Sequence, residues 1–334
     1  AKTIHRLLEA RPPAGFGRDE SNPLTGDVLI VDECSMIDIL LMNSLLKAIP
    51  PNMTLILVGD VDQLPSVGAG KVLADILDSG VVPFVKLDII FRQAQTSKII
   101  TNAHRINKGG YIELDDKNSD FIFLEEKEPE NAADKIINLC ADILPNQHGI
   151  NPSDIQVLSP MRRGVIGTGE LNLRLQNALN PNKIFIRHGA TEFRVNDKVM
   201  QIRNNYEKGV FNGDIGFISE IDTNNGVISV IFDEDNVVLY ESDELDEIVL
   251  AYATTIHKSQ GSEFPYVIMP MMMTHFIMLQ RNLLYTGVTR AKKGLFLVGE
   301  KSAVLYAAKN NKIQERNTQL KSKLKTYAAA NEVE

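Results

Sequence analysis

Residues 28–31 read Val-Leu-Ile-Val and run directly into Asp32 and Glu33. An apolar run of strand length that ends in two carboxylates predicts a buried parallel strand, delivering acid to its carboxyl end, where α/β sheets place their ligands. Residues 37–49 carry apolar side chains at helical spacing, and Pro50-Pro51 stops them. Residues 53–58 predict a second buried strand, ending at Gly59-Asp60. Helices are expected over 71–78 and 97–107, the latter closed by Gly109-Gly110. Strand, helix, strand predicts a doubly wound parallel sheet. Ahead of it, 2–10 predicts a short helix, and 11–27, rich in Gly, Pro and charge, an exposed loop or hairpin.

The pattern repeats further on. Residues 131–144 predict a helix capped by Asn131 and stopped by Pro145. A buried strand is expected over 155–159 and a helix over 170–179, so a second α/β unit begins between 110 and 155. From 193 to 249 the period changes to two, with strands expected over 215–221, 226–232 and 236–240. Asn224-Asn225-Gly226 is a hairpin signal, and 233–235 a second, polar turn. Short strands of this kind suggest a small β-barrel inserted into the second unit. Helical and strand signals return over 257–260, 283–285 and 294–298, and 302–330 predicts a helical tail.

A chain of 334 residues, 44% hydrophobic, suits two or three globular domains. The net charge of −8 confines any nucleic-acid contact to a local groove. Cys34 and Cys140 are the only cysteines, which excludes a disulfide framework and a cysteine zinc site and fits a cytoplasmic protein. No apolar run reaches membrane-spanning length; the nearest, 269–278, is interrupted by Pro270 and His275. The chain opens on Ala1 without an initiator methionine or a preceding strand, and is read as a piece of a longer protein.

Asp32 can hold Mg²⁺ and Glu33 can position or deprotonate a water, the metal half of an NTP-hydrolysing site. An acidic pair after a strand is also compatible with a solvated loop. The second strand tip adds Gln63, a neutral amide suited to sensing a terminal phosphate. Its turn could equally be one in which Asp60 and Asp62 cap local N–H groups. A rival reading joins Asp32, Asp60 and Asp62 in a two-metal nuclease cluster. Arg92 and Arg290, one in each α/β unit, are candidate arginine forks for a γ-phosphate. Residues 254–264 are dense in small donors that suit phosphate contacts along a nucleic-acid strand. Thr3-Ile4-His5-Arg6 echoes Thr255-Ile256-His257-Lys258.

Taken in order, LIVDECSM, LVGDVDQLPSVGAG, FRQ, SPMRRGVIGTGELN, FNGDIG, TTIHKSQGSEF and LLYTGVTRAKKGLFLVG resemble the motifs of a superfamily 1 DNA helicase of the RecD/TraA type, similar to exodeoxyribonuclease V alpha chains. The resemblance covers nearly the whole chain. It implies an α/β fold of two RecA-like (P-loop NTPase) domains, the first truncated, with ATP between them and single-stranded DNA across their top. The first domain is expected over 1–110, with 11–27 at the place of a strand-separating hairpin. The second is expected over 111–192 and 250–334, interrupted by an SH3-like β-barrel over 193–249. By motif, Asp32 (the Mg²⁺ ligand), Glu33, Gln63, Arg92 and Arg290 are the catalytic set, and Gly261 and Glu263 lie near the nucleotide. Thr3, His5, Thr255, His257, Lys258 and Ser259 are candidates for DNA contact. The implied activity is ATP-dependent, 5′ to 3′ translocation and unwinding at duplex junctions in recombination and repair, with a protein partner for the insert. A non-catalytic nucleic-acid-binding or docking subunit and the helicase part of a conjugative relaxase are the alternatives. No Gly-x-x-x-x-Gly-Lys-[Ser/Thr] loop occurs in the sequence, so the 334-residue chain alone is expected to bind ATP weakly and hydrolyse it negligibly.

Overall fold

The computed structural model describes residues 2–11, 15–87, 96–115, 118–232, 236–312 and 316–331. They form two compact units, 1–89 with 312–334, and 90–311.

In the first unit Val28–Val31 pairs in parallel with Thr54–Leu57. Helix Ile39–Ala48, capped by Asp38, and helix Val72–Ser79 pack with this pair around Leu8, Val31, Met42 and Leu45. The expected burial of both strands holds on one face. Val28, Ile30 and Ile56 alternate with the core-facing residues and are exposed, Ile30 by 64%. Successive strand side chains point to opposite faces, and the described helices share their core with one of them. Short strands Ala10–Arg11 and Gly15–Phe16 pair antiparallel, starting one residue before the 11–27 range expected for a loop or hairpin.

The second unit is built on five parallel strands in the order Ala253–Thr255, Ile155–Ser159, Phe264–Met271, Ala291–Gly299, Phe121–Glu125. Ile155–Ser159 is buried throughout, as a central strand of an α/β sheet must be. Helices Lys98–Asn107, Arg281–Val288 and Lys301–Lys309 pack together, as do Pro129–Asn138 and Thr168–Leu179. The helix expected over 131–144 starts earlier, at Pro129, because proline is tolerated in a first turn. It continues through Pro145 as a wider-turned stretch, Leu139–Gln147.

A second sheet lies within this unit. Its five antiparallel strands run in the order Val237–Tyr240, Val227–Ile231, Ile215–Asp222, Lys198–Gln201, Ile248–Leu250. Gly226, at φ +71°, makes the tight turn that Asn224-Asn225-Gly226 predicts. The polar turn expected over 233–235 lies outside the described residues. The sheet shares one apolar core with the helices around Ile136, Leu171 and Leu175. Asp197 ties it in place: its carboxylate accepts from Gln176 Nε2 (2.6 Å), Asn180 Nδ2 (2.7 Å), Tyr252 Oη (2.9 Å) and the Arg194 N–H (2.7 Å). Burial raises the Asp197 pKa against those four bonds.

The division into units differs from the expected one at two places. Helix Lys98–Asn107 belongs to the second unit, because Ile99, Ala103 and Ile106 are buried where it packs on Arg281–Val288. The expected helical tail is two helices. The last, Leu320–Asn331, packs on Val72–Ser79 of the first unit.

Candidate nucleotide and nucleic-acid sites

In the first unit the tips of the two strands are bonded to each other. The Cys34 N–H donates to the Val58 carbonyl (2.9 Å), and the Val58 N–H to that of Val31 (2.8 Å). Gly59 permits this approach: a Cβ there would lie 2.9 Å from Leu73 and 3.0 Å from the Cys34 nitrogen. Asp32 is exposed, and its Oδ1 accepts from the Glu33 N–H (2.7 Å). Glu33 sits at φ +52°, a left-handed conformation that costs a non-glycine residue about 1 kcal/mol. Burial pushes the Cys34 thiol up to about 11, and the charges of Asp32 and Glu33 add to the effect. The tip is thus an acidic one.

Gln63 is buried on the turn that follows the second strand. Its Nε2 lies 3.5 Å from Asp60 Oδ2, a marginal bond, and its Oε1 accepts no hydrogen bond from the described residues. Asp60 Oδ1 accepts from the Asp62 N–H (3.0 Å), the turn-capping role open to it from sequence. The nuclease reading is not met. Among the described residues no three acidic, histidine or cysteine side chains gather as metal ligands. Arg92 lies outside the described residues.

In the second unit the neighbouring strands Ile155–Ser159 and Ala253–Thr255 end side by side, Ser159 opposite Thr255. Thr255 caps the turn Ile256–Ser259, its Oγ1 accepting from the Lys258 N–H (3.3 Å). Thr3 does the same for Ile4–Leu7 in the first unit, accepting from the Arg6 N–H (3.2 Å). The backbone angles agree: φ −66°, ψ 154° at Thr3 and φ −78°, ψ 149° at Thr255. The sequence echo is therefore a shared local structure. His5 is exposed, its ring 5.9 Å from that of Phe16. Burial lowers the pKa of the half-buried His257.

Lys258 has its pKa lowered by burial and then by the charge of Arg162. Arg162 and Arg163 are exposed, and among the described residues no carboxylate pairs with either or with Lys258. Arg162 and Lys258 thus lie close enough for one charge to act on the other, with Arg163 next in sequence, in a chain of net charge −8. From sequence the two arginines belong to the SPMRRGVIGTGELN block but receive no role of their own. The signal was their place, directly after a buried strand at the ligand-bearing end of a parallel sheet.

Of the other expected contacts, Ser259 and Arg290 are turned inward. Ser259 is buried and donates to the Ile256 carbonyl (2.8 Å). Gly261, at φ +77°, faces open space, and Glu263 pairs with Lys292 at 2.7 Å. Arg290 is buried. Its Nε donates to the Thr286 carbonyl (3.2 Å), Nη1 to that of Ser262 (3.1 Å) and Nη2 to Thr289 Oγ1 (3.3 Å). It braces the 259–264 turn against the end of helix Arg281–Val288.

Three family models match the chain. They describe an AAA domain over residues 1–69, an "ATP-dependent RecD-like DNA helicase SH3 domain" over 171–232 and a "UvrD-like helicase C-terminal domain" over 250–298. The ATP-dependent RecD2 DNA helicase of Deinococcus radiodurans is 37% identical over 327 residues, covering 98% of this chain and 44% of that protein. The RecBCD enzyme subunit RecD of Mycobacterium tuberculosis is 33% identical over 323 residues, covering 91% and 55%. The chain spans about half the length of the curated relatives it matches. Among solved structures, a Bacteroides Pif1 helicase in complex with ADP-AlF3 and ssDNA aligns at a TM-score of 0.51 and 17% identity, over 99% of this chain and 84% of that one. Candida albicans Pif1 aligns at 0.51 and 18%, over 92% and 77%. These likenesses establish the fold: RecA-like α/β architecture with an SH3-like insert.

Proposed function

The chain belongs to the RecD-type helicases of superfamily 1, and from that premise we propose that the protein is an ATP-dependent DNA helicase that moves along single-stranded DNA and unwinds duplex. The observation that supports the catalytic half is the bonded pair of strand tips, Cys34 to Val58 and Val58 to Val31, from which Asp32-Glu33 and the Gln63 turn extend. Asp32 fits a hard cation: it is an exposed carboxylate, and one oxygen takes a backbone N–H while the other has no partner among the described residues. Mg²⁺ held there would neutralise charge on the nucleotide phosphates. Glu33 orients the attacking water and takes its proton. Gln63, with its amide oxygen unpartnered, reports whether the γ-phosphate is present. Arg92 and Arg290 are the proposed arginines for the transition-state charge, with Gly261 and Glu263 lining the nucleotide.

For DNA, the unpaired cations Arg162, Arg163 and Lys258 hold backbone phosphates, beside His257 and the Thr255 cap. Thr3 and His5 supply the corresponding turn of the first unit. Movement from 5′ to 3′, duplex junctions as substrate, and a role in recombination and repair follow the family resemblance. A protein partner of the insert is best accommodated on its edge strand, Val237–Tyr240, where Val237 and Leu239 are exposed. Among the described residues no helix is long and apolar enough to cross a membrane.

The test is Glu33→Gln in the full-length protein. A motor loses ATP hydrolysis and unwinding by roughly a hundredfold or more while keeping its affinity for single-stranded DNA. A non-catalytic binding subunit shows no change in any of the three.

A further inference from the structure

Arg316 grips the loop that follows Gln63. Its Nη1 donates to the carbonyls of Gly68 (2.7 Å) and Gly70 (2.6 Å) and to Ser66 Oγ (3.1 Å), and its Nη2 donates to the Ser66 carbonyl (2.6 Å). Three backbone carbonyls of one short loop thus converge on a single guanidinium. A planar fork with fixed donors meets that arrangement; an ammonium, a point charge with three rotating donors, does not.

The far side of the loop is held by the helix that follows the acidic tip. The Ile39 N–H donates to the Ala69 carbonyl (2.9 Å), and Asp38 caps that helix by accepting from the Leu41 N–H (2.8 Å). A Cβ on Gly68 would collide with the Asp38 carboxylate, and Gly70 sits at φ +92°. The loop is therefore wedged between Asp38-Ile39, a few residues after Glu33, and Arg316. It starts three residues after Gln63.

The segment behind Arg316 is anchored independently. Thr318 Oγ1 donates to Asp75 Oδ2 (2.8 Å), Asp75 itself being buried, and Lys321 pairs with Asp78 (3.4 Å). Leu320 packs on the first unit's core.

We propose that Arg316 is a positioning residue that sets the geometry of the Gln63 turn, so that the C-terminal segment governs how the first unit distinguishes ATP from ADP. This rests on the helicase reading above, in which Gln63 answers to the γ-phosphate. Arg316 touches no substrate; it acts through the 66–70 loop.

The experiment compares full-length wild type with Arg316→Ala and with Arg316→Lys, the latter retaining charge should the alanine variant fail to fold. Two quantities are read: hydrogen exchange of the amides of residues 64–70, with 155–159 as internal control, and the KM for ATP against the Ki for ADP. The expected result is exchange over 64–70 faster by about tenfold or more with the control unchanged. The ratio of KM for ATP to Ki for ADP should rise by about tenfold, with lysine giving a smaller shift in the same direction. A loosened loop with the ratio unchanged makes Arg316 merely structural and overturns the proposal; so does unchanged loop exchange. If wild type itself turns over no ATP, the helicase reading fails and this proposal falls with it, an outcome distinct from an active wild type beside unaffected variants.

Discussion

The backbone N–H of Cys34 donates to the carbonyl of Val58 across 2.9 Å, and this bond joins the turn after the acidic strand to the end of its neighbour. Every role assigned to Asp32, Glu33 and Gln63 depends on it, because carboxylates and amide can address one phosphate group only if their strand tips are held together.

Gly59→Ala tests that relationship. The added methyl would lie 2.9 Å from Leu73 and 3.0 Å from the Cys34 nitrogen, so the tips must part or helix Val72–Ser79 must shift. A loss of stability of about 1–3 kcal/mol is expected, as for overpacking in a closely packed site. Denaturant midpoints of the variant and wild type measure it.

The 334-residue chain by itself contains no Gly-x-x-x-x-Gly-Lys-[Ser/Thr] loop. Without those N–H groups and that lysine, the β- and γ-phosphates lack their main cradle. Phosphate release by the isolated chain, with saturating single-stranded DNA, is expected to stay at background. Robust DNA-stimulated turnover would refute this.

Arg162 and Lys258 are close enough for the charge of one to lower the pKa of the other, and among the described residues neither has a carboxylate partner. Replacing Arg162, Arg163 or Lys258 by alanine should weaken binding to single strands of any sequence. Each lost phosphate contact should flatten the slope of log K against log salt by about 0.7. Fluorescence titrations with oligonucleotides at several salt concentrations read the slope directly. Slopes unchanged in all three variants would place the DNA elsewhere.

His275 is buried, its Nδ1 has no hydrogen-bond partner among the described residues, and burial pushes its pKa down to about 4. The folded pKa lies below the unfolded one, so the unfolded chain binds more protons in the interval between them. The contribution to stability is present in full above pH about 6.5 and is lost as pH falls towards about 4. In His275→Gln this part of the acid sensitivity should vanish. Denaturation of both proteins across that window, compared by slope, isolates the histidine from carboxylates that titrate in either background.

Local signals in the chain were legible because their physics is local. The run 28–31 and the residues after it announce a strand ending in acid, and Gly226 announces its own turn. Thr3 and Thr255 each cap a bond three residues away, which a reader of sequence can anticipate. The order of the motifs carried the family, and with it the RecA-like architecture and the SH3-like insert. What folding alone decided were the partners drawn from afar. Ser259 looks like a phosphate donor in sequence and is buried in its own turn; Arg290 looks like a free fork and binds the Ser262 carbonyl. Arg316 has no motif around it, yet it holds a loop some 250 residues away. Spacing and periodicity specify which face of an element is apolar. Which distant side chain supplies the hydrogen bond, and which face remains uncovered as at Ile30, is settled only when elements far apart in the chain compete to bury their surfaces.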